Sequence, residues 1–254
     1  MTVALVLAGA VVVGVSLGLF GAGGSVLALP VLVYGAGQSV AVAVPTSLVV
    51  VAASSVGALV PRLRGRQVRW GVAVVFAAGG VPAALAGAVL GRGLPDELLL
   101  PAFAVIMVVV AVRMLRGGES TGGACRTSGG RVNRRRCLPR TLAAGAGVGA
   151  LTGVFGVGGG FAVVPALTLL LGLTATEAVA TSLVVIAVNA VAGFAGHAGA
   201  PVDHALVLVF AGGALLTSLV AGRLAARLPA ERVRRWFAWT VLALAPLVAV
   251  GAWT

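Results

Sequence analysis

Long apolar runs, separated by short polar breaks, extend along nearly the whole chain of 254 residues. The hydrocarbon core of a bilayer is about 30 Å thick, and an α-helix needs about 20 apolar residues to cross it. The runs therefore predict membrane-spanning helices. The six clearest spans lie at 41–61, 70–91, 97–115, 176–196, 204–223 and 236–252.

Each half of the chain opens with two shorter apolar segments. They lie at 2–19 and 25–36 in the first half and at 141–154 and 160–172 in the second. As a helix, the segment 141–154 would cover only about 20 Å, which is less than the thickness of the hydrocarbon core. We expect these segments to form either re-entrant hairpins or spanning helices with a broken middle. Both arrangements give five segments per half and place both chain termini outside.

The composition agrees with a bilayer as the solvent. Hydrophobic residues make up 60% of the chain and charged residues only 9%, with a mean hydropathy of +1.13. A soluble domain carries about 25% charged residues. The chain is therefore predicted to be an all-α polytopic membrane protein, and a soluble fold is excluded.

The net charge is +12, and the chain contains arginine but no lysine. A nucleic-acid-binding protein would carry such charge on a recognition fold. Here the arginines cluster in a few loops between apolar runs, which is typical of cytoplasmic loops in membrane proteins. We therefore expect no nucleic-acid partner. An anion site within the bilayer would rely mainly on helix dipoles and hydroxyl groups rather than on a buried cation.

The two halves repeat each other in sequence. Residues 18–30 (GLFGAGGSVLALP) align without a gap with 153–165 (GVFGVGGGFAVVP), and the same offset aligns TSLVV at 46–50 with 181–185. The repeat divides the chain into a first transmembrane repeat, an arginine-rich cytoplasmic linker and a second transmembrane repeat. Their bounds are 1–115, 116–140 and 141–254.

Matched loops of the two halves exchange their positive charge. Loop 61–70 has four arginines and its partner 196–204 has none, whereas loop 91–97 has one arginine and its partner 225–235 has four. Because positive loops stay in the cytoplasm, matched loops face opposite compartments, which is typical of inverted-topology repeats. The predicted cytoplasmic loops are 62–69, 113–140 and 223–235, and the predicted external loops are 92–97 and 197–203.

The repeated glycine motif is the first candidate site. Consecutive glycines allow unusual backbone angles, and a helix that opens at membrane depth exposes N–H groups and the positive end of its dipole, which suit an anion. Two breaks related by inversion would meet near the midplane, where secondary transporters bind substrate. The alternative is close packing of helices. The candidate substrate-binding residues are Gly21, Gly23, Gly24, Ser25, Gly156, Gly158, Gly159 and Gly160.

Polar residues inside the long apolar runs are the second candidate. The matched pairs Thr46-Ser47 and Thr181-Ser182 could donate hydrogen bonds to an oxyanion, or could bond back to the preceding helical turn. Asn189 lies in the middle of a span, and because an unpaired amide is costly in lipid, we expect it to face the interior of the helix bundle.

Coupling residues and cofactors have weaker signals. Glu177 begins a span and could cap a helix, and with His197, Asp203 and His204 it could instead relay protons. No metal-ligand spacing or nucleophile–base pair occurs in the spans, so we expect no metal, no cofactor and no enzymatic activity. Cys125 and Cys137 are expected to be free cytoplasmic thiols.

Together these motifs resemble the TauE/SafE family of sulfite exporters. The resemblance covers both halves and excludes the central linker. It is carried by Gly21, Gly23, Gly24, Pro30, Thr46 and Ser47 in the first half, and by Gly156, Gly158, Gly159, Pro165, Thr181 and Ser182 in the second.

The resemblance implies transport of a small sulfur-containing anion, such as sulfite, thiosulfate or an organosulfonate, across the bacterial plasma membrane. It leaves the direction open, and the protein could act as a homo-oligomer. The chain departs from a symmetric pattern where Ser25 aligns with Gly160 and Pro45 with Ala180. A passive anion channel and a membrane scaffold without transport activity remain as alternatives.

Overall fold

The computed structural model describes most of the chain. The described residues are 3–21, 24–63, 65, 67–91, 93, 95–116, 134–155, 160–197, 199, 204–225, 235–236, 239 and 242–243.

Helices make up most of the described part of the chain. The first half contains α1 (Val3–Phe20), α2 (Gly24–Pro30), α3 (Val40–Leu63), α4 (Trp70–Gly91) and α5 (Asp96–Arg116). The second half contains α6 (Arg134–Phe155), α7 (Gly160–Pro165), α8 (Ala175–Gly196) and α9 (His204–Ala225). The predicted all-α fold is therefore confirmed. Within the described residues, four helices are long and apolar enough to cross a membrane, α3, α4, α8 and α9.

Most predicted spans agree closely with the observed helices. The span 70–91 coincides with α4, and the spans 41–61, 97–115 and 176–196 differ from their helices by at most two residues at either end. The span 236–252 lies almost entirely outside the described residues. This agreement arises because the hydropathy of a lipid-facing helix changes sharply where it meets water.

The predicted start of α6 is wrong. The sequence pattern placed the segment at 141–154, but α6 begins at Arg134 and contains 22 residues, about 33 Å of helix. The helix is therefore longer than the segment expected from the sequence. The first turns of α6 are rich in arginine, which is a good helix former but lowers the hydropathy on which the prediction rested. The helix thus includes the last seven residues assigned to the linker.

Each of the short helices α2 and α7 is followed by a π-helical turn. These turns are Val31–Gly35 and Ala166–Leu170, and each follows a proline, Pro30 or Pro165, at matched positions of the repeat. Proline lacks the N–H that an α-helix needs, and a wider turn accommodates the missing bond. The two halves therefore share a local backbone feature as well as a sequence motif.

Cys137 is disulfide-bonded, so the expectation of a free thiol is wrong at this position. Cys125 lies outside the described residues. Disulfides persist mainly in oxidising compartments. The cytoplasmic location of the linker therefore stays a prediction that rests on its arginines alone.

The central pair of long helices, α3 and α8, runs antiparallel. Leu48, near the start of α3, lies against Gly193, near the end of α8. At the other end, the backbone N–H of Arg69, just before α4, donates to the hydroxyl of Thr181 in α8. Around this pair, α1 of the first half packs on α9 of the second, and α6 of the second half packs on α4 of the first. The halves are therefore intertwined, while their opposite orientation in the membrane stays a prediction.

Small residues bring these helices unusually close together. Three glycines of α6, Gly145, Gly149 and Gly153, lie four residues apart and face the backbone carbonyl groups of α4. A Cβ on any of them would overlap one of these oxygens. In α1, Gly14 and Gly18 face α9 in the same way. Glycines at this spacing allow close packing in membranes, and these five glycines lie outside the repeated pattern GxGG of the two breaks.

Candidate functional site

The first helix break lies against the start of α8. α1 ends at Phe20, and Gly21 has a φ of 69°, a left-handed conformation that favours glycine. The Gly21 N–H donates to the carbonyl of Leu17 over 2.8 Å, which closes the last turn of α1. A Cβ on Gly21 would overlap the side chain of Val179 in α8. The break is therefore held between the first and second halves of the chain.

A buried arginine supports the end of α1, and sequence reasoning missed it. Arg62 was expected in a cytoplasmic loop, but it lies in the last turn of α3 with only 6% of its surface exposed. Its guanidinium donates to the carbonyls of Ala58 over 2.8 Å and of Gly18 over 2.9 Å. The expectation that the site lacks a buried cation is therefore wrong at this end of α1.

The repeat contains a signal for this residue. At the offset of 135 residues, Arg62 aligns with His197, and Ala58 aligns with Gly193. His197 is also buried, and its Nδ1 lies 2.8 Å from the carbonyl oxygen of Gly193. A basic side chain that bonds one turn back on its own helix therefore ends both α3 and α8.

An ion pair joins the connection before α4 to the start of α8. Glu177 forms a capping box with Thr174, so the predicted helix-capping role is confirmed. One of its carboxylate oxygens also accepts from Arg69, over 2.9 Å from Nε and 2.6 Å from Nη2. With the bond from Arg69 N to Thr181 Oγ1, these contacts fix the segment 67–69 on α8 beside the first break.

Breaking this ion pair should have a small effect. The side chain of Arg69 is 60% exposed, and exposed pairs contribute at most about 1 kcal/mol. We expect Arg69→Gln to lower the thermal unfolding temperature of the purified protein slightly, and the difference to shrink at high salt. Arg223→Gln, on an exposed arginine at the end of α9, is the control. A salt-independent loss of several kcal/mol would show that the backbone at Arg69 has moved.

The matched hydroxyl pairs are not equivalent in the structure. Both serines bond back to their own helices, Ser47 to the carbonyl of Val44 over 2.7 Å and Ser182 to that of Val179 over 2.8 Å. Thr181 accepts from Arg69, whereas Thr46 is fully buried and its hydroxyl has no hydrogen-bond partner. Of the four hydroxyls, that of Thr46 is therefore the one left without a bond.

Asn189 faces the interior of the bundle, as predicted. Its side chain is fully buried, and neither Oδ1 nor Nδ2 has a hydrogen-bond partner. The amide lies directly over Gly80 of α4. Ser55 of α3, which sequence reasoning did not select, also has a buried hydroxyl without a partner. Such groups are costly inside a membrane protein, so these residues are candidates for a functional site.

The remaining predicted residues are placed as follows. Gly24 and Ser25 begin α2 and Gly160 begins α7, and these two short helices pack against each other. Thr46 and Thr181 lie in the second turns of the antiparallel helices α3 and α8, so they lie near opposite ends of this helix pair. His204 begins α9. Gly23, Gly156, Gly158, Gly159 and Asp203 lie outside the described residues.

No group of metal-binding side chains occurs in the part of the chain that the structure describes. The spans instead carry buried hydroxyl and amide groups, with one arginine at the end of α3. These features define the class of the protein: a multi-pass helical membrane protein with polar groups enclosed within its spans.

Comparison with known proteins identifies the family. The sequence model of the sulfite exporter TauE/SafE family matches residues 6–247, and the chain belongs to this family. It is 32% identical over 245 residues to a probable membrane transporter protein of Xylella fastidiosa strain 9a5c, covering 95% of this chain and 92% of the relative. A probable membrane transporter protein of strain Temecula1 is 35% identical over 175 residues, 68% of this chain and 66% of the relative. No solved structure matches the chain.

Proposed function

We propose that the protein is a secondary transporter that moves a small anion across the bacterial plasma membrane. The substrate class is a sulfur oxyanion or organosulfonate such as sulfite. The observation that carries this proposal is the set of buried polar side chains without hydrogen-bond partners inside the spans, Thr46, Ser55 and Asn189. In a family of sulfite exporters, an oxyanion is the ligand that would accept from these donors.

The proposed site combines three sources of stabilisation. The backbone N–H groups at the helix breaks, which include Gly24 and Ser25 of α2 and Gly160 of α7, would donate to the anion. The free hydroxyl of Thr46 and the amide of Asn189 would add hydrogen bonds from the long helices. Arg62 adds a positive charge near the first break. Because this charge is held by carbonyl groups, it would attract an anion to the break without binding it in a fixed salt bridge.

We assign the coupling of transport to protons to residues at the predicted external side of the membrane. Glu177 is already engaged in a capping box and an ion pair, so its role is structural in this conformation. His197, Asp203 and His204 remain the proposed proton-coupling residues. The proposed orientation places the arginine-rich linker in the cytoplasm and both termini outside, and the family membership favours transport over catalysis.

The test is uptake of sulfite into liposomes that contain the purified protein. We expect saturable uptake, and we expect Thr46→Val to reduce its rate by about tenfold, because the change removes one donor without changing the shape of the side chain. Thr152→Val is the matched control. Thr152 is also fully buried, but its hydroxyl already bonds to the carbonyl of Val148 over 2.9 Å.

The outcomes separate the alternatives. Saturable uptake that responds to a proton gradient supports a coupled transporter, whereas uptake that does not saturate indicates a passive channel. Absence of flux for sulfite, other sulfur oxyanions and small organosulfonates would overturn the proposal in favour of a scaffold. Equal losses in Thr46→Val and Thr152→Val would show that Thr46 acts only through packing.

A further inference from the structure

Three helices meet at Gly80, at the middle of α4. On one side, a Cβ on Gly149 of α6 would overlap the backbone of Gly80. On the other side, a Cβ on Gly80 itself would lie 2.6 Å from Oδ1 and 2.7 Å from Nδ2 of Asn189 in α8. Real side chains do not approach so closely. The carboxamide of Asn189 therefore occupies the space that any side chain at position 80 would need.

This carboxamide is the largest buried polar group without a partner in the described part of the chain. It is fully buried, and both of its polar atoms lack a hydrogen bond. An amide without bonds destabilises a folded protein, and no lipid group at this depth can replace the missing partners. Packing alone does not explain why an asparagine stands here.

A matched junction of the repeat shows that the same packing can be built without an unpaired group. At the offset of 135 residues, Gly149 aligns with Gly14 and Asn189 with Ser54, and Gly80 and Ala214 are each the eleventh residue of their helices, α4 and α9. Gly14 packs on the backbone of Ala214 just as Gly149 packs on Gly80. The hydroxyl of Ser54, however, donates to the carbonyl of Val50 and is satisfied. The unpaired amide is therefore a feature of one junction and is not required by the helix packing.

The chemistry of the amide limits what it can bind. A carboxamide offers two N–H donors and one carbonyl acceptor and carries no charge. A ligand that satisfies both atoms must present an acceptor and a donor side by side, as an oxyanion that keeps one hydroxyl does. The electrostatic cost of burial rises with the square of the charge, so a monoanion is far easier to place beside a neutral amide than a dianion.

We propose that the junction of Asn189 and Gly80 is a substrate subsite that selects a hydroxyl-bearing monoanion, such as hydrogensulfite. The amide N–H donates to a charged oxygen and the amide oxygen accepts from the hydroxyl, while Gly80 provides the room that the amide needs. This inference rests on the proposed function. It adds that the transported species is the protonated form of the anion.

The test compares two probes of equal charge and similar size, hydrogensulfite and methanesulfinate, in which a methyl group replaces the hydroxyl. Uptake into liposomes is measured in mildly acidic buffer, where sulfite is mostly the monoanion. We expect the wild-type protein to transport hydrogensulfite at least about tenfold faster than methanesulfinate. In Asn189→Leu this ratio should fall to near one. Ser54→Ala, at the matched junction, should keep the wild-type ratio.

Gly80 is tested through its effect on the amide. Gly80→Ala should displace Asn189 and lower the ratio as Asn189→Leu does, with size-exclusion chromatography as the check on folding. If Gly80 acts only by making room for the amide, adding Gly80→Ala to Asn189→Ala should leave the ratio of that variant unchanged. The comparison of the double variant with Asn189→Ala remains informative if Gly80→Ala alone fails to fold. Alanine at position 189 lacks the amide, so it does not clash with the new methyl group at position 80.

Two results would overturn the inference. One is equal transport of both probes by the wild-type protein, and the other is an unchanged ratio in Asn189→Leu. In either case sulfite uptake itself would still support the proposed transporter. Absence of uptake for both probes would also overturn the inference, and the proposed function would fall with it if other sulfur oxyanions and small organosulfonates showed no flux either.

Discussion

Gly149→Ala is expected to prevent α6 from packing on α4. The new methyl group would overlap the carbonyl oxygen of Gly80, and this oxygen belongs to a helical backbone that cannot rotate away. The helices must separate, which loosens the most extensive helix pair in the described part of the chain. Overpacking that forces a backbone shift costs about 3 kcal/mol. We expect the unfolding temperature to fall by roughly 6–12 °C. It is measured by tryptophan fluorescence of the protein in detergent.

Gly147→Ala is the matched control, two residues away on the same helix. Gly147 is exposed, and nothing lies within 4 Å of the position its Cβ would take. Alanine is favoured over glycine inside a helix by up to about 1 kcal/mol. This variant should therefore be as stable as the wild-type protein or slightly more so. If both variants behaved alike, the close approach of α4 and α6 would be wrong.

Arg62→Met is expected to destabilise the end of α1. Methionine fills a similar volume but cannot donate, so the carbonyls of Gly18 and Ala58 lose their partner. A hydrogen bond from a charged donor contributes about 1.5–3 kcal/mol, which predicts a loss of about 3 kcal/mol for the pair. The loss should be concentrated at the first break. The Gly21 amide donates to Leu17 at this break, so faster hydrogen exchange of this amide would measure the local loss of stability directly.

Two further variants separate charge from geometry at this position. Arg62→Lys keeps the charge, but an ammonium group cannot reach two carbonyls as the planar guanidinium does, so we expect only partial recovery of stability. Arg223→Met changes an exposed arginine at the end of α9 and should leave both stability and exchange unchanged. Wild-type exchange at Gly21 in Arg62→Met would show that Arg62 does not support the break.

The predictions from sequence held where a property depends on local composition. The helix 70–91 was located to the residue, because its ends are marked by a change from apolar to polar side chains. The capping role of Glu177 followed from its place at the start of a span, and the structure adds Thr174 as its partner. The start of α6 was missed because arginines continue the helix but lower the hydropathy on which the prediction rested.

The candidate site was harder to predict, because its polar residues differ in their partners rather than in their type. Thr46 and Thr181 stand in identical sequence contexts, TSLVV, yet one hydroxyl is unpaired and the other accepts from Arg69. Arg69 is more than 100 residues from Thr181 in the chain, and no pattern near either residue indicates that they meet. The same holds for Gly80 and Asn189.

The sequence by itself determined that this protein is a helical membrane protein of two related halves, and its motifs indicated the family. These properties follow from hydropathy and from residues at fixed spacing, which are local. Only the tertiary structure decided that Arg62 is buried against Gly18, that the Asn189 amide lies on Gly80, and which hydroxyls remain free. Those contacts join distant helices, and close packing between small residues, rather than chain proximity, selects which polar groups find a partner.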